Sequence, residues 1–495
     1  MRERETKLLV DAEFRVPALG DGAVGLRLGS EQHVDQRAHY FDTPDFRLTR
    51  SGASLRYRSD DAWTLKIPES TAGASLTRIE HVFPGDLASL PEAALDLARA
   101  WIRTETVREV AHVRTHRHRF VLTDASGARI AEIDDDRVTT HAASRPRSDF
   151  REVEIELDER APAQLGKRLT NYIRHAGPTH RSTIPKIARA LGVDELTPSD
   201  VDAPSKPRTH ATMTEFVQAL VSGSARRLLA HDPVIRIGDD PEGVHQARVA
   251  TRRLRADLRT FRPVVDQEWS EGLRAELRWL GHALGAVRDA DVLAILLEGH
   301  RSSVPEPHRP GIDALLRELE AQRARKREEL LRSMRSPRYA RLLDRLVDAS
   351  HTPKVLDDVA TKRARPVAYR LARRPWRRLR KSIAELGSGP EDPALHEVRR
   401  RAKQARYATE TLAVVDTHWP EAVAARAEAL QEILGEYQDR VVARAWLEDI
   451  APDRPDLAFL AGELAARLSF EQDDLHERAR AAWKIARKQR VTRAD

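Results

Sequence analysis

Two runs of alternating charge carry the chemistry of this chain. Glu152-Val153-Glu154-Ile155-Glu156-Leu157 interleaves carboxylates with apolar residues, and the chain opens on Glu3-Arg4-Glu5-Thr6-Lys7 before the apolar Leu8-Leu9-Val10. Successive side chains of a strand point to opposite faces, so each run sets like-facing charges about 6.6 Å apart. Bases recur at the same spacing, as in Arg56 and Arg58 or Arg117 and Arg119. Grouped carboxylates suit a hard cation and grouped Lys and Arg suit phosphate oxygens. A solvated strand face explains any one run, but such faces usually mix signs. Here one strand offers acids and another bases, as if each met a different part of one anionic, metal-bound ligand.

Composition narrows the choice. The 495 residues contain no cysteine, which removes disulfides and thiolate metal sites and leaves Asp, Glu and His as ligands. Mg²⁺ or Mn²⁺ is the expected ion. The charged start does not read as a signal peptide, and there is no long apolar run, so a soluble cytoplasmic protein with no membrane partner is expected. Residues 1–200 hold 30 Lys and Arg against 32 Asp and Glu, whereas the remainder holds 54 against 45. The net charge of +7 therefore resides in the second half, as a polyanionic partner would require.

The elements that must position these residues differ between the two halves. From Ala38 to Glu156, β-like runs are broken by Thr43-Pro44-Asp45, Ser51-Gly52 and Ser126-Gly127, which predicts a mostly antiparallel β domain. Rolled into a barrel, its charged faces would point inward. Like charges 4 Å apart repel by about 4 kcal/mol at an effective dielectric near 20, so a metal and a phosphate chain would have to compensate them. Residues 196–210, with three prolines, read as a linker, and apolar residues at helical spacing follow it.

Glu3-x-Glu5-x-Lys7, Tyr40-Phe41-Asp42-Thr43-Pro44-Asp45, Leu55-Arg56-Tyr57-Arg58, Trp63-Thr64-Leu65-Lys66, Asp134-Asp135-Asp136 and the Glu152/Glu154/Glu156 strand together resemble the CYTH domain of the triphosphate tunnel metalloenzymes, over residues 1–195. The resemblance implies an eight-stranded antiparallel β tunnel, Mg²⁺ or Mn²⁺, and a triphosphate-bearing substrate. It further implies that Lys7, Arg56, Arg58, Lys66, Arg78, Arg117 and Lys186 bind the triphosphate, with Arg119 as the alternative to Arg117. Glu3, Glu5, Asp134, Glu152, Glu154 and Glu156 are the implied metal ligands, and Lys7, Lys66 and Glu154 the catalytic residues. Catalysis would rest on positioning and electrostatics: cations neutralise the non-reacting phosphates while a metal and a carboxylate prepare water for in-line attack. No Gly-x-x-x-x-Gly-Lys-[Ser/Thr] loop is present.

The helical half is a duplication. His245-Gln-Ala-Arg248-Val-Ala-Thr-Arg252-Arg-Leu-Arg255 matches His396-Glu-Val-Arg399-Arg-Arg-Ala-Lys403-Gln-Ala-Arg406 at an offset of 151 residues, and Leu284-Gly285-Ala-Val-Arg288-Asp289 matches Leu434-Gly435-Glu-Tyr-Gln438-Asp439 at 150. Offsets of 0, 3, 7 and 10 on a helix fall within about 80°, so each His with its three cations forms one stripe. A face salt-bridged to Asp289 and Asp439 is the alternative reading. A third basic stripe runs from Arg370 through Arg373, Arg374, Arg377 and Arg378 to Lys381. Few aromatics interleave with these cations, which disfavours nucleic acid and favours a ligand made of phosphate alone.

These residues resemble the CHAD domain, over about 208–495. The resemblance implies two related helical bundles across a basic groove and the binding of inorganic polyphosphate at His245, Arg248, Arg252, Arg255, His396, Arg399, Lys403 and Arg406. The expected architecture is thus an α+β multidomain chain: a β tunnel (1–195), a linker (196–210) and an all-α domain (211–495) with repeats at about 211–350 and 360–495. The expected function is metal-dependent hydrolysis of inorganic triphosphate coupled to polyphosphate binding. The alternatives are a non-catalytic polyphosphate-binding protein and a tunnel enzyme acting on thiamine triphosphate or ATP.

Overall fold

The computed structural model describes residues 2–19, 25–58, 62–68, 76–142, 145–162, 164–177, 179–193, 199–201, 208–387 and 389–491, with the side chains of 2–4 and 76–78 outside the description. The chain divides into two compact units, residues 1–200 and 201–495. Much of the expected linker, at 196–198 and 202–207, lies outside the described residues.

The first unit is one antiparallel sheet of nine strands: β1 (Arg2–Val10), β2 (Arg27–Asp42), β3 (Ser54–Arg58), β4 (Ala62–Pro68), β5 (Leu76–Phe83), β6 (Arg108–Thr123), β7 (Arg129–Ala142), β8 (Arg145–Leu157) and β9 (Thr179–Ser182). Their order is β5-β4-β3-β2-β6-β7-β8-β1-β9, and β5 also pairs with β1. Residues 2–5 of β1 take β5 as neighbour, residues 7–10 take the short β9, and β8 runs along the other side. The hydrogen-bonded order thus returns to its start through eight strands, with β9 as a four-residue addition to the expected set.

Among the described residues, five short helices decorate this sheet: α1 (Arg47–Arg50), α2 (Glu92–Leu97), α3 (Arg99–Ile102), α4 (Leu165–His175) and α5 (Lys186–Leu191). They place the hydrophobic core outside the strands. Leu8, Ile133, Val153 and Ile155 pack with Leu165, Leu169 and Ile173 of α4, while Leu55, Trp63 and Leu65 pack with Trp101 and Ile102. Because strand side chains alternate, covering one face with helices commits the charged residues to the other. Asp42 serves the fold instead, since its buried carboxylate accepts from the backbone of Thr43, Leu48 and Thr49 and so ties down α1.

The second unit is helical: α6 (Met213–Ile237), α7 (Glu242–Thr260), α8 (Gln267–Gly299), α9 (Arg309–Arg335), α10 (Pro337–His351), α11 (Asp357–Ala360), α12 (Ala364–Ala384), α13 (Asp392–Glu410), α14 (Glu421–Ile450) and α15 (Ala458–Ala486). The order α6-α7-α8-α9 repeats as α12-α13-α14-α15. The two starts meet in an antiparallel bridge, Thr212 opposite Arg363, with Met213 N donating to Lys362 O at 2.9 Å and Ala364 N to Ala211 O at 2.8 Å. A capping box, Thr212 with Glu215, opens α6. No helix among the described residues is long and apolar enough to cross a membrane.

Candidate functional site

Register decides what meets inside the sheet. Lys7 stands opposite Glu154, which stands opposite Asp134 and then Arg119; Glu152 stands opposite Asp136 and then Arg117. A one-residue slip in any pair would turn its charges into the outer core. The inward side chains interlock as ion pairs. Lys7 contacts Glu5 at 2.5 Å and pairs with Glu154. Arg117 holds Asp136 through two bonds of 2.8 and 2.7 Å and Glu154 at 2.8 Å, and pairs with Asp134. Lys186, the first residue of α5, reaches Asp136, Glu152 and Glu154 at 2.8, 2.9 and 2.8 Å.

Of these groups, Glu5, Lys7, Arg117, Glu154 and Lys186 border a cavity of about 180 Å³ that is also lined by Arg56, Arg58, Lys66, Glu80, Arg119 and Glu156. Around it, with Asp134, Asp136 and Glu152 behind the lining, the seven carboxylates Glu5, Glu80, Asp134, Asp136, Glu152, Glu154 and Glu156 are matched by the seven cations Lys7, Arg56, Arg58, Lys66, Arg117, Arg119 and Lys186, the acids concentrated on β1, β7 and β8. Oε2 of buried Glu152 accepts no hydrogen bond among the described residues. Two overlapping groups, Asp134/Glu154/Glu156 and Asp136/Glu152/Glu154, bring three carboxylate oxygens within 4.8 Å of one another. An all-oxygen donor set with an unsatisfied carboxylate oxygen fits a hard divalent cation.

The electrostatics separate neighbouring acids. Burial pushes Glu152 above the usual carboxylate range despite Lys186 and Lys7, and it raises Asp134 as well. Glu154 is equally buried, but Lys186, Lys7 and Arg117 outweigh that effect and hold it well below the range. Burial opposes the Lys7 ammonium too, yet Glu154, Glu5 and Glu152 keep it protonated, and Asp136, Glu154 and Glu152 do the same for Lys186.

In the helical unit, His245, Arg248 and Arg252 of α7 face His396, Arg399 and Lys403 of α13 across a cavity of about 380 Å³, with Arg288, Asp289, Gln438 and Asp439 at its sides. Arg248 lies 3.1 Å from Asp289, and its counterpart Arg399 lies 3.9 Å from Asp439. The repeated Leu-Gly pair lies against these guanidinium groups, closely only at the second glycine. A Cβ on Gly435 would come within 3.3 Å of the Arg399 guanidinium, and one on Gly285 within 3.6 Å of Arg248. Burial, followed by Arg399, Arg252 and Arg248, pushes Lys403 down to about 6.

Comparison with known proteins is consistent across both units. The CYTH domain model matches residues 1–191 and the CHAD domain model residues 219–448. Uncharacterized proteins of two Mycobacterium tuberculosis strains, CDC 1551 and H37Rv, are each 32% identical over 486 residues, covering 91% of this chain and 88% of their own length. The chain belongs to the CYTH–CHAD family.

Solved structures similar to this CYTH–CHAD chain include PptA from Streptomyces chartreusis (23% identity, 55% of this chain and 100% of that one, TM-score 0.48) and the CHAD domain from the plant Ricinus communis (24%, 58% and 96%, TM-score 0.48). A putative adenylate cyclase from Bacillus halodurans matches at 22% identity over 38% of this chain and 96% of its own, with a TM-score of 0.22. The CYTH family is metal-dependent and includes triphosphatases and cyclases.

Within the CYTH unit, Glu5, Lys7, Arg56, Arg58, Lys66, Arg117, Glu154, Glu156 and Lys186 border one cavity, and Asp134 and Glu152 pack behind it. Glu3 and Arg78 pair in register on β1 and β5, but their side chains lie outside the described residues. Sequence reasoning left Asp136, Glu80 and Glu132 unassigned, although Asp136 is two residues from Asp134 and strand alternation places it on the same face. Asp135 points outward to Arg151, at 2.8 and 2.6 Å. In the CHAD unit, Arg255 and Arg406 fall outside the cavity lining. They share the angular stripe but lie about 15 Å along the axis from each His. Arg406 pairs with Glu410 at 2.6 Å and Glu428 at 2.9 Å.

Proposed function

We propose that the CYTH unit hydrolyses inorganic triphosphate with Mg²⁺ or Mn²⁺ and that the CHAD unit binds inorganic polyphosphate. The carrying observation is the cavity in which the carboxylate groups of β1, β7 and β8 interlock with Lys7, Arg117 and Lys186 while Arg56, Arg58 and Lys66 line the opposite strands. Tyr40, Pro185 and Ile187 are its only largely apolar lining among the described residues, which favours a substrate of phosphate alone over one bearing a base or a thiazole ring.

Asp134, Asp136, Glu152, Glu154 and Glu156 would hold the cation, which when bound screens phosphate charge and acidifies water. Lys7, Lys66, Arg56, Arg58, Arg78, Arg117 and Lys186 grip the phosphate oxygens, which compete with the carboxylates for the same ammonium and guanidinium groups. As the phosphates draw Lys7 and Lys186 away from Glu154, its proton affinity rises from the depressed value of the resting ion-pair network. Glu154 is thereby placed to accept a proton from the attacking water, and Lys7 and Lys66 stabilise charge on the phosphoryl group. In the CHAD groove, the facing α7 and α13 stripes supply a cationic track for a longer chain.

The deciding experiment compares metal-dependent phosphate release from triphosphate, long-chain polyphosphate, ATP and thiamine triphosphate. Preference for triphosphate, lost without divalent cation, is expected. Equal or faster turnover of ATP or thiamine triphosphate, or release indifferent to chelation, would refute the reading.

A further inference from the structure

A second cluster of metal-binding side chains lies on the opposite face of the same sheet. On β2 and β6 the outward residues are rich in histidine: His33 and His39 on one, His112, His116 and His118 on the other. At one end His39 stands directly opposite His112, with ring centroids 4.5 Å apart. His39 Nδ1 and His112 Nε2 both address Oε1 of Glu109, at 2.8 and 2.7 Å. Donor atoms of the three residues lie within 4.8 Å of one another.

Simple alternation would deny Glu109 this position, because it is an odd number of residues from His112 and belongs on the inner face. A register break between Tyr40 and Phe41 re-aims it. Tyr40 pairs with Ala111 but Phe41 with Glu109, so Val110 is left over. Val110 and Ala111 are consecutively buried, and Glu109 emerges on the histidine face. A bulge that turns one side chain onto a two-histidine pair is the device by which sheets present ligands. His141 of β7 stands opposite His112, is exposed, and extends the row to a third strand within side-chain reach.

We propose that His39, Glu109 and His112 form a second metal site, for a borderline divalent transition metal such as Zn²⁺ or Co²⁺. Two imidazoles and a carboxylate make an N₂O donor set that selects such ions over Mg²⁺, with metal–nitrogen distances near 2.0–2.1 Å that the convergent nitrogens can meet by small rotations. The ion takes the place of the hydrogen bonds that now join the imidazoles to Glu109. It clamps β2 to β6 across the bulge, and it is chemically orthogonal to the all-oxygen groups of the interior. One chain thus carries a hard site inside the sheet and a borderline site outside it.

The test is a Co²⁺ and Zn²⁺ titration of the untagged full chain in millimolar Mg²⁺, followed by visible Co²⁺ absorption and calorimetry. One equivalent is expected, with affinity falling at least tenfold in His39→Ala/His112→Ala and in Glu109→Gln. It should be unchanged in Glu154→Gln, which alters the interior, and in His33→Ala/His118→Ala, which removes the stacked pair at the far end of the row. Because the three ligands are surface groups, the variants should keep the parent circular dichroism; if the double variant fails to fold, Glu109→Gln and His112→Gln decide alone. Unchanged affinity in the His39/His112 and Glu109 variants, or loss in Glu154→Gln, overturns the proposal.

Discussion

Polyphosphate binding should depend on pH through one lysine. Lys403 is held down to about 6 by burial and by Arg399, Arg252 and Arg248, with Asp439 giving partial relief. At pH 8 the empty groove therefore carries a neutral Lys403. A phosphate chain between α7 and α13 brings negative charge that restores the ammonium, so binding takes up a proton. Between the value of the empty groove and that of the filled one, each pH unit then weakens binding by close to tenfold, or about 1.36 kcal/mol. Lowering the pH supplies the proton in advance, so affinity should be roughly 10-fold higher at pH 7 than at pH 8. His245, depressed by burial and by Arg288, is already neutral across that window. Calorimetry with long-chain polyphosphate in buffers of different ionisation enthalpy would read the uptake as nearly one proton at pH 8. Lys403→Arg, always charged, should hold the affinity that the parent reaches only below pH 6 and flatten the profile, and Lys403→Met should flatten it at the weaker level. A slope that survives in Lys403→Arg, or no proton uptake in the parent chain, refutes the reasoning.

Other outcomes follow from the same geometry. Glu154→Gln should reduce metal-dependent phosphate release from triphosphate about 10²–10⁴-fold, the range for loss of a positioned proton acceptor, and Lys66→Ala should reduce it strongly with the helical unit still folded; unaltered turnover in both would count against the assignment. Polyphosphate affinity should fall as salt rises, and each of Arg248→Ala and Arg399→Ala should lower the log–log salt slope by roughly one; an unchanged slope would remove them from the ligand contact. Buried Asp257, raised to about 7 by desolvation despite Arg253, contributes stability below about pH 4 that is lost as pH rises through 7. Asp257→Asn should therefore gain on the parent in unfolding free energy between pH 5 and pH 8, by up to about 3 kcal/mol in denaturant titrations, with Arg253 still paired to Glu410; a gain that shrinks with pH would contradict it.

The legible part of the site is the part written in local period. Alternation at Glu152–Glu156 separates Val153 and Ile155, in the outer core, from the carboxylates, and this needs no partner strand to be read. The offset of 151 residues between His245 and His396 likewise announces two equivalent helices. What alternation cannot supply is the identity of the neighbour across the sheet. That Lys7 meets Glu154, and Arg117 meets Asp136, follows from register, which long-range pairing and the helices outside the sheet decide. The sequence reading therefore divides acids and bases between metal and phosphate, whereas the folded strands make each the other's resting partner.

The same distinction holds elsewhere. Arg255 and Arg406 share their stripes with the groove residues, because angle is fixed by helical period, but where the cavity ends depends on how α8 and α14 pack. Residue types, signs and periodicity were enough to announce a β domain followed by a helical one, the like-facing carboxylates and cations, and the duplication. Tertiary structure alone decided that the carboxylates of β1, β7 and β8 converge on Lys7, Arg117 and Lys186, that half-buried Lys403 sits among arginines, and that a bulge turns Glu109 outward to two histidines. The physical reason is that pKa values, ion-pair partners and ligand clusters depend on distances of a few ångströms between residues far apart in the chain, which local pattern does not encode.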